Sequence, residues 1–209
     1  MNLALLILPV LGLHLLAVMS PGPNFLVSLQ LGLTNPRPVS LFSALGIATG
    51  TLVHVTLGFL GLSAILAHSL WLFAGLKILG AIYLIYLGVK SLLKWRNTPP
   101  DWPADITAAS LNRRQAYRVG LVTCLTNPKS AIYYLALFTS VISITTPLAA
   151  KLTLVLLLPL VSLGWYSIVT LLVSLPWFRA GYRRVYRGVD AAIGALLLGL
   201  GFRLALLRP

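Results

Sequence analysis

Six mostly apolar stretches take up almost all of this chain, and each is long enough to cross a bilayer. A helix spanning the roughly 30 Å hydrocarbon core needs about 20 such residues. The stretches run from about Leu3 to Thr34, Pro38 to Ala67, Leu70 to Leu93, Ala116 to Ile144, Pro147 to Leu175 and Val189 to Leu207. Helices satisfy their own backbone N–H and C=O groups, as hydrocarbon demands. The pattern therefore predicts an all-α integral membrane protein of six transmembrane helices. The first stretch has no basic region ahead of it and runs on through Ser20-Pro21-Gly22-Pro23. It reads as a retained span rather than a cleaved signal peptide.

Composition narrows the chemistry. Of 209 residues, 58 % are apolar and 9 % charged, whereas a soluble domain carries about 25 % charged residues. This argues against a soluble globular domain, and against disorder, which needs low hydrophobicity and high charge. There are 16 Lys and Arg but only 3 acids, Asp101, Asp105 and Asp190, for a net charge of +13. Such an excess can mark a nucleic-acid binder, but it also marks the loops of a membrane protein. The apolar content decides for the lipid bilayer and against nucleic acid. Three acids cannot build a carboxylate-rich metal site, and Cys124 alone forms neither an intrachain disulfide nor a CxxC pair. An intramembrane enzyme, a redox relay or a metal carrier thus finds few of the residues it needs, and no metal or cofactor is expected.

The polar stretch from Lys94 to Arg114, with Pro99, Pro100 and Pro103, is the one real linker. It divides a single transmembrane domain (1–209) into two three-helix halves, 1–94 and 115–209, around a linker at 95–114. A second, basic loop is expected from Arg179 to Arg187. Of the Lys and Arg near helix ends, 11 lie on the side of the long linker and 4 on the other. Cytoplasmic loops carry the positive excess, so the linker is expected inside and both termini outside. Three spans per half make any repeat an inverted one. Shifting the third stretch by 113 positions sets Gly75 on Gly188, Lys77 on Asp190, Gly88 on Gly201 and Lys90 on Arg203. The first stretch of each half is also broken at a Pro motif, Ser20-Pro21-Gly22-Pro23-Asn24 and Thr126-Asn127-Pro128-Lys129-Ser130. Breaks at matched places in two halves point to a transporter site.

Each break frees backbone groups that must meet protein, water or substrate. The helix that restarts presents N–H groups and a positive dipole end, which suit a carboxylate. Asn24 and Ser130 sit where a cap is expected. Two facing breaks can hold an amino acid's carboxylate, with unwound carbonyls taking its ammonium; alternatively the Pro residues only kink the bundle. Lys129 lies deep in its stretch, where a charge costs at least about 2.5–3.5 kcal/mol. It can bind a substrate carboxylate, or brace the bundle through Asp190 or a carbonyl. Asp190 can exchange protons, or pair with Lys129 or with an Arg such as Arg183 or Arg187. His54 shares one helix face with Gly46, Gly50 and Gly58, where small residues let another helix, or a second copy in a homodimer, approach. It is either a proton carrier or an interhelical hydrogen-bond partner. His14 is a candidate to face the cavity, and His68 to sit at the outer interface. Lys77 can snorkel outward. Trp165 and Tyr166 are candidates to line the cavity.

These residues resemble a known family. Met19-Ser-Pro-Gly-Pro-Asn-Phe-Leu-Val27 resembles the first-helix motif of the LysE/RhtB amino-acid exporters. The resemblance continues in order through Gly46-xxx-Gly50-xxx-His54, Ala81-Ile-Tyr-Leu-Ile-Tyr-Leu-Gly88, Leu125-Thr-Asn-Pro-Lys-Ser130, Gly164-Trp-Tyr166 and Asp190 with Gly194 and Gly201. It implies a secondary transporter of the bacterial inner membrane that exports amino acids or close derivatives, driven by protons. Exporters of basic amino acids in this family carry an acid in the second helix. Here Thr49, Thr51 and His54 hold the polar positions of that stretch. The resemblance therefore implies a neutral substrate of the threonine, homoserine or leucine type. Basic amino acids, another metabolite or an ion remain the alternative cargo. The expected substrate site is Pro21, Gly22, Pro23, Asn24, Asn127, Pro128, Lys129, Trp165 and Tyr166, with His54 and Asp190 as proton carriers.

Overall fold

The computed structural model describes residues 3–68, 70–94, 111–141 and 146–206. All the regular structure among them is helical: α1 (Leu3–Met19), α2 (Pro23–Thr34), α3 (Arg37–His68), α4 (Leu70–Lys94), α5 (Arg113–Thr126), α6 (Pro128–Val141), α7 (Leu148–Leu172) and α8 (Pro176–Leu206). Among the described residues, α3 over Arg37–Gly61 and α7 over Leu148–Leu172 are each long and apolar enough to cross a membrane. So is the pair α1–α2 taken as one element, bent by 59° at its break.

Both expected interruptions are present. Pro23 opens α2 after a bend at Ser20–Gly22, and Pro128 opens α6 directly after Asn127. Proline suits the first helical turn, where its missing N–H has no intrahelical role. Most of the expected linker, residues 95–110, lies outside the described residues. Its end is tied down: the Leu111 N–H donates to Asn35 Oδ1 at 2.8 Å. Asn112 and Gln115 then form a reciprocal capping box, so α5 begins two residues before the expected boundary.

The expected basic loop from Arg179 to Arg187 is a correction. That stretch is helical and belongs to α8. Proline at position 176 starts the helix, and Arg is a good helix former. Gly181 is the only poor former between Trp177 and Arg187. Net charge, read as a loop signal, there marked only where a helix lies.

Small residues set the packing. A Cβ at Gly46 would land on the Tyr117 carbonyl oxygen, and one at Gly120 on that of Ser43. The α3 and α5 backbones are therefore in contact. Further along the same face, Gly50 meets Cys124 and Gly58 meets Phe138, so this ridge is used within the chain. Gly32 seats α2 on the Thr170 backbone of α7 in the corresponding way. Gly88, Gly194 and Gly201 join α4 to α8, whereas Gly75 and Gly188 meet nothing within 4 Å. Each broken segment is thus clamped against an unbroken helix, and the two breaks are held in fixed register.

Gly46→Ala is expected to cost about 1–3 kcal/mol by overpacking and to lower the thermal unfolding midpoint in detergent. Gly61→Ala, on the same helix where a Cβ meets nothing within 4 Å, should leave the midpoint unchanged or raised.

Candidate functional site

The two breaks face each other. Asn127 Nδ2 donates to Asn24 Oδ1 at 3.2 Å, and Asn24 Nδ2 donates to Ser130 Oγ at 3.4 Å. Asn24 and Asn127 are buried, so these amide bonds are exchanged away from solvent. Asn127 also caps α6, its Oδ1 accepting the Lys129 N–H at 3.0 Å. Expectation and structure differ over the caps. Asn24 and Ser130 lie inside the first turns of α2 and α6, and their side chains bond across the gap. The residue at the start of α2 is Gly22, which offers no side-chain cap.

Lys129 belongs to the first turn of α6, so its apparent depth in an apolar stretch places it at the gap. Its Nζ donates to Ser20 Oγ at 2.8 Å, across from one break to the other. The side chain passes Gly22, where a Cβ would sit 3.5 Å from Lys129 Cδ and 3.6 Å from Nζ. An ammonium from the second half therefore lies against the unwound backbone of the first.

Around these groups is a partly open cavity with about 420 Å³ of empty space, some of it continuous with the surroundings. Gly22, Asn24, Asn127, Lys129 and Tyr166 line it, as expected for them from sequence. Pro21, Pro23 and Pro128 shape the breaks beside it without lining it. Trp165 stands outside the lining, packed with the cluster of Val18, Phe25 and Val169, although its Nε1 is buried without a hydrogen-bond partner. His54 also stands outside. Its Nε2–H donates to the Cys124 carbonyl at 3.0 Å, and its ring stacks on Tyr134 at 5.6 Å. It braces the end of α5, one ring away from the cavity. The side chains of Asp190, Lys77 and His68 lie outside the described residues.

His14 lines the cavity, as the sequence made it a candidate to do, together with groups not named for the site: Ser20, Thr51, Ser130, Tyr133, Tyr134 and Ser162. Most follow helical spacing. Ser130, Tyr133 and Tyr134 share a face of α6, and Ser162 and Tyr166 a face of α7. Their hydroxyls are chained, with Tyr134 OH donating to Thr51 Oγ1 at 3.3 Å and Thr51 Oγ1 to Ser162 Oγ at 3.3 Å. Among the described residues, no Asp or Glu lines the cavity. These residues form a neutral polar chamber with one ammonium at its broken end, suited to a small anionic or zwitterionic molecule.

Residues 5–208 match the family described as LysE type translocator. The chain belongs to that family. This LysE-type translocator is 32 % identical over 198 residues to the threonine efflux protein of Salmonella typhi, covering 93 % of this chain and 95 % of that one. It is 31 % identical over 207 residues to the threonine efflux protein of Escherichia coli K12, covering 98 % and 99 %. It is 30 % identical over 200 residues to the leucine efflux protein of Klebsiella pneumoniae, covering 91 % and 90 %. No solved structure matches it.

A double-mutant cycle of Asn24→Ala and Asn127→Ala, read by thermal unfolding, should give a coupling of about 0.5–1.5 kcal/mol, the worth of one hydrogen bond. Asn127→Ala alone should cost more than Asn24→Ala, because it also removes the α6 cap, a loss of about 1 kcal/mol.

Proposed function

We propose that this translocator exports a small neutral amino acid of the threonine, homoserine or leucine type. The observation that carries the reading is the placement of Lys129 Nζ between the two helix breaks, on Ser20 of the opposite half. A carboxylate entering the cavity would meet that ammonium and the N-terminal turns of α2 and α6. Charge-assisted bonds of this kind are worth about 1.5–3 kcal/mol, and helix N-termini add to them. The substrate's ammonium would then fall among neutral acceptors. With no carboxylate among the described lining residues, a second positive charge on the substrate side chain would find no partner among them, which disfavours the alternative of a basic amino acid. The relatives named for threonine and leucine efflux agree with a neutral cargo.

The same reading takes the chain as six spans in a 3+3 inverted repeat in the bacterial inner membrane, linker inside and termini outside. The packing supports this. α1 and α2 lean on α7 as α5 and α6 lean on α3, while α3 pairs with α7 and α4 with α8. Exchanging the halves maps this pattern onto itself. Transport would be alternating access, one half rocking against the other around the site, with protons moving inward as the amino acid leaves.

Export of labelled threonine, homoserine and leucine from loaded cells tests the reading. Lys129→Ala should reduce export by at least about tenfold, the loss of one charge-assisted contact, and Asn24→Ala by less. Undiminished export by both variants at equal membrane abundance would overturn the site.

A further inference from the structure

His14 is 0 % exposed and lines the cavity. Its Nε2 lies 3.1 Å from the Leu158 carbonyl oxygen and 2.9 Å from Ser162 Oγ. A carbonyl oxygen only accepts, so Nε2 carries the hydrogen. In the neutral ring Nδ1 is then a bare lone pair. That atom is buried and has no hydrogen-bond partner. A buried acceptor left unmatched costs about 1–3 kcal/mol. Two things can relieve that cost: an N–H donated by a substrate, or a proton.

Resting on the export reading above, we propose that His14 Nδ1 is the coupling atom, holding either a proton or the substrate's ammonium N–H but never both. The chamber supplies the reason. With a carboxylate at Lys129, the ammonium beside it finds no acid among the described lining residues. The unmatched polar atoms there are His14 Nδ1 and the Tyr133 hydroxyl, and of the two only Nδ1 can exchange an ammonium for a proton. Once Nδ1 takes a proton, the ring becomes a cation with donors on both nitrogens, which repels an ammonium and offers it no lone pair. One proton bound therefore means one amino acid released, with no other bond made or broken. Such exclusion at a single site is the thermodynamic requirement of exchange.

The groups around the ring leave this competition to His14. From α6 it is faced by Tyr133 and Tyr134, with ring centroids at 6.0 and 5.7 Å, and across the cavity by Lys129. α7 contributes Tyr166 to the same cavity. From α3, His54 lies behind Tyr134 with its Nε2 engaged by Cys124 O on α5. α8 also packs on α1, and its described titratable side chain, Arg184, is exposed.

The test is equilibrium binding of labelled threonine, homoserine and leucine to purified full-length protein between about pH 8 and about pH 4, a range that extends to either side of the ordinary histidine value. Wild-type affinity should fall with falling pH, approaching tenfold per unit, the limit for one competing proton. His14→Gln keeps a donor for Leu158 O and carries an amide oxygen that accepts a hydrogen bond but takes no proton. Its affinity should change less than about twofold across the range. His54→Gln should retain the wild-type pH profile. A wild-type profile in His14→Gln, or a flat wild type that still binds, would overturn the inference and leave the export reading standing. A wild type that binds none of these amino acids would overturn both. Should His14→Gln fail to fold, nitrogen NMR of labelled histidine in the unaltered protein decides. The Nε2–H tautomer, with an Nδ1 signal that moves on adding amino acid, supports the inference, and an Nδ1–H tautomer overturns it.

Discussion

Backbone groups freed by a helix break inside an apolar bundle must find partners, and that requirement organises this protein. Each unsatisfied group in hydrocarbon costs several kcal/mol. Pro21-Gly22-Pro23 and Asn127-Pro128 open two such breaks, and each lies within reach of the other. Asn24 and Asn127 exchange an amide bond across the gap, and Lys129 reaches Ser20 from the opposite side. The glycine contacts that press α5 onto α3 and α2 onto α7 hold them in register, so packing far from the cavity decides its shape.

The cavity inherits its character from what the bundle can tolerate. Charges are expensive in such surroundings, and its described lining contains a single ammonium and no acid. Serine, threonine and tyrosine hydroxyls add to the polarity, and those of Tyr134, Thr51 and Ser162 have partners on other helices. The chain Tyr134–Thr51–Ser162 links α6, α3 and α7, so a change in the packing of one helix is felt by the other two. Pro159 lies inside α7, one residue after Leu158, whose carbonyl holds His14.

Much of this could be read from the sequence, because the strongest signals are local. Proline and glycine announce where a helix stops, and both breaks fall at the expected residues. The Gly46, Gly50 and Gly58 spacing announced a close helix approach, though not whether the partner was α5 and α6 or another copy. The facing of Asn24 and Asn127 matches what the expected inverted repeat would do, which is to bring equivalent breaks together. What stayed hidden depended on side-chain direction. Asn24 and Ser130 looked like caps by position, yet they bond to each other's segment because Gly22 and Asn127 hold the cap positions. Trp165 shares a motif with Tyr166, yet successive helix residues point about 100° apart, and only Tyr166 enters the cavity. His54 carried a motif and His14 did not, but the cavity takes His14. The run of Arg from 179 to 187 looked like a loop because charge was read as exposure, whereas α8 passes straight through it.

The central claim is that the Lys129 ammonium, set between two paired breaks, recognises a carboxylate. The most direct measurement compares the binding of threonine with that of threoninamide, which lacks the negative charge, in wild-type protein and in Lys129→Ala. The account predicts a preference for the acid of at least about tenfold in the wild type, the worth of one charge-assisted bond, and its near disappearance in the variant. An equal preference for the acid in both proteins would contradict it.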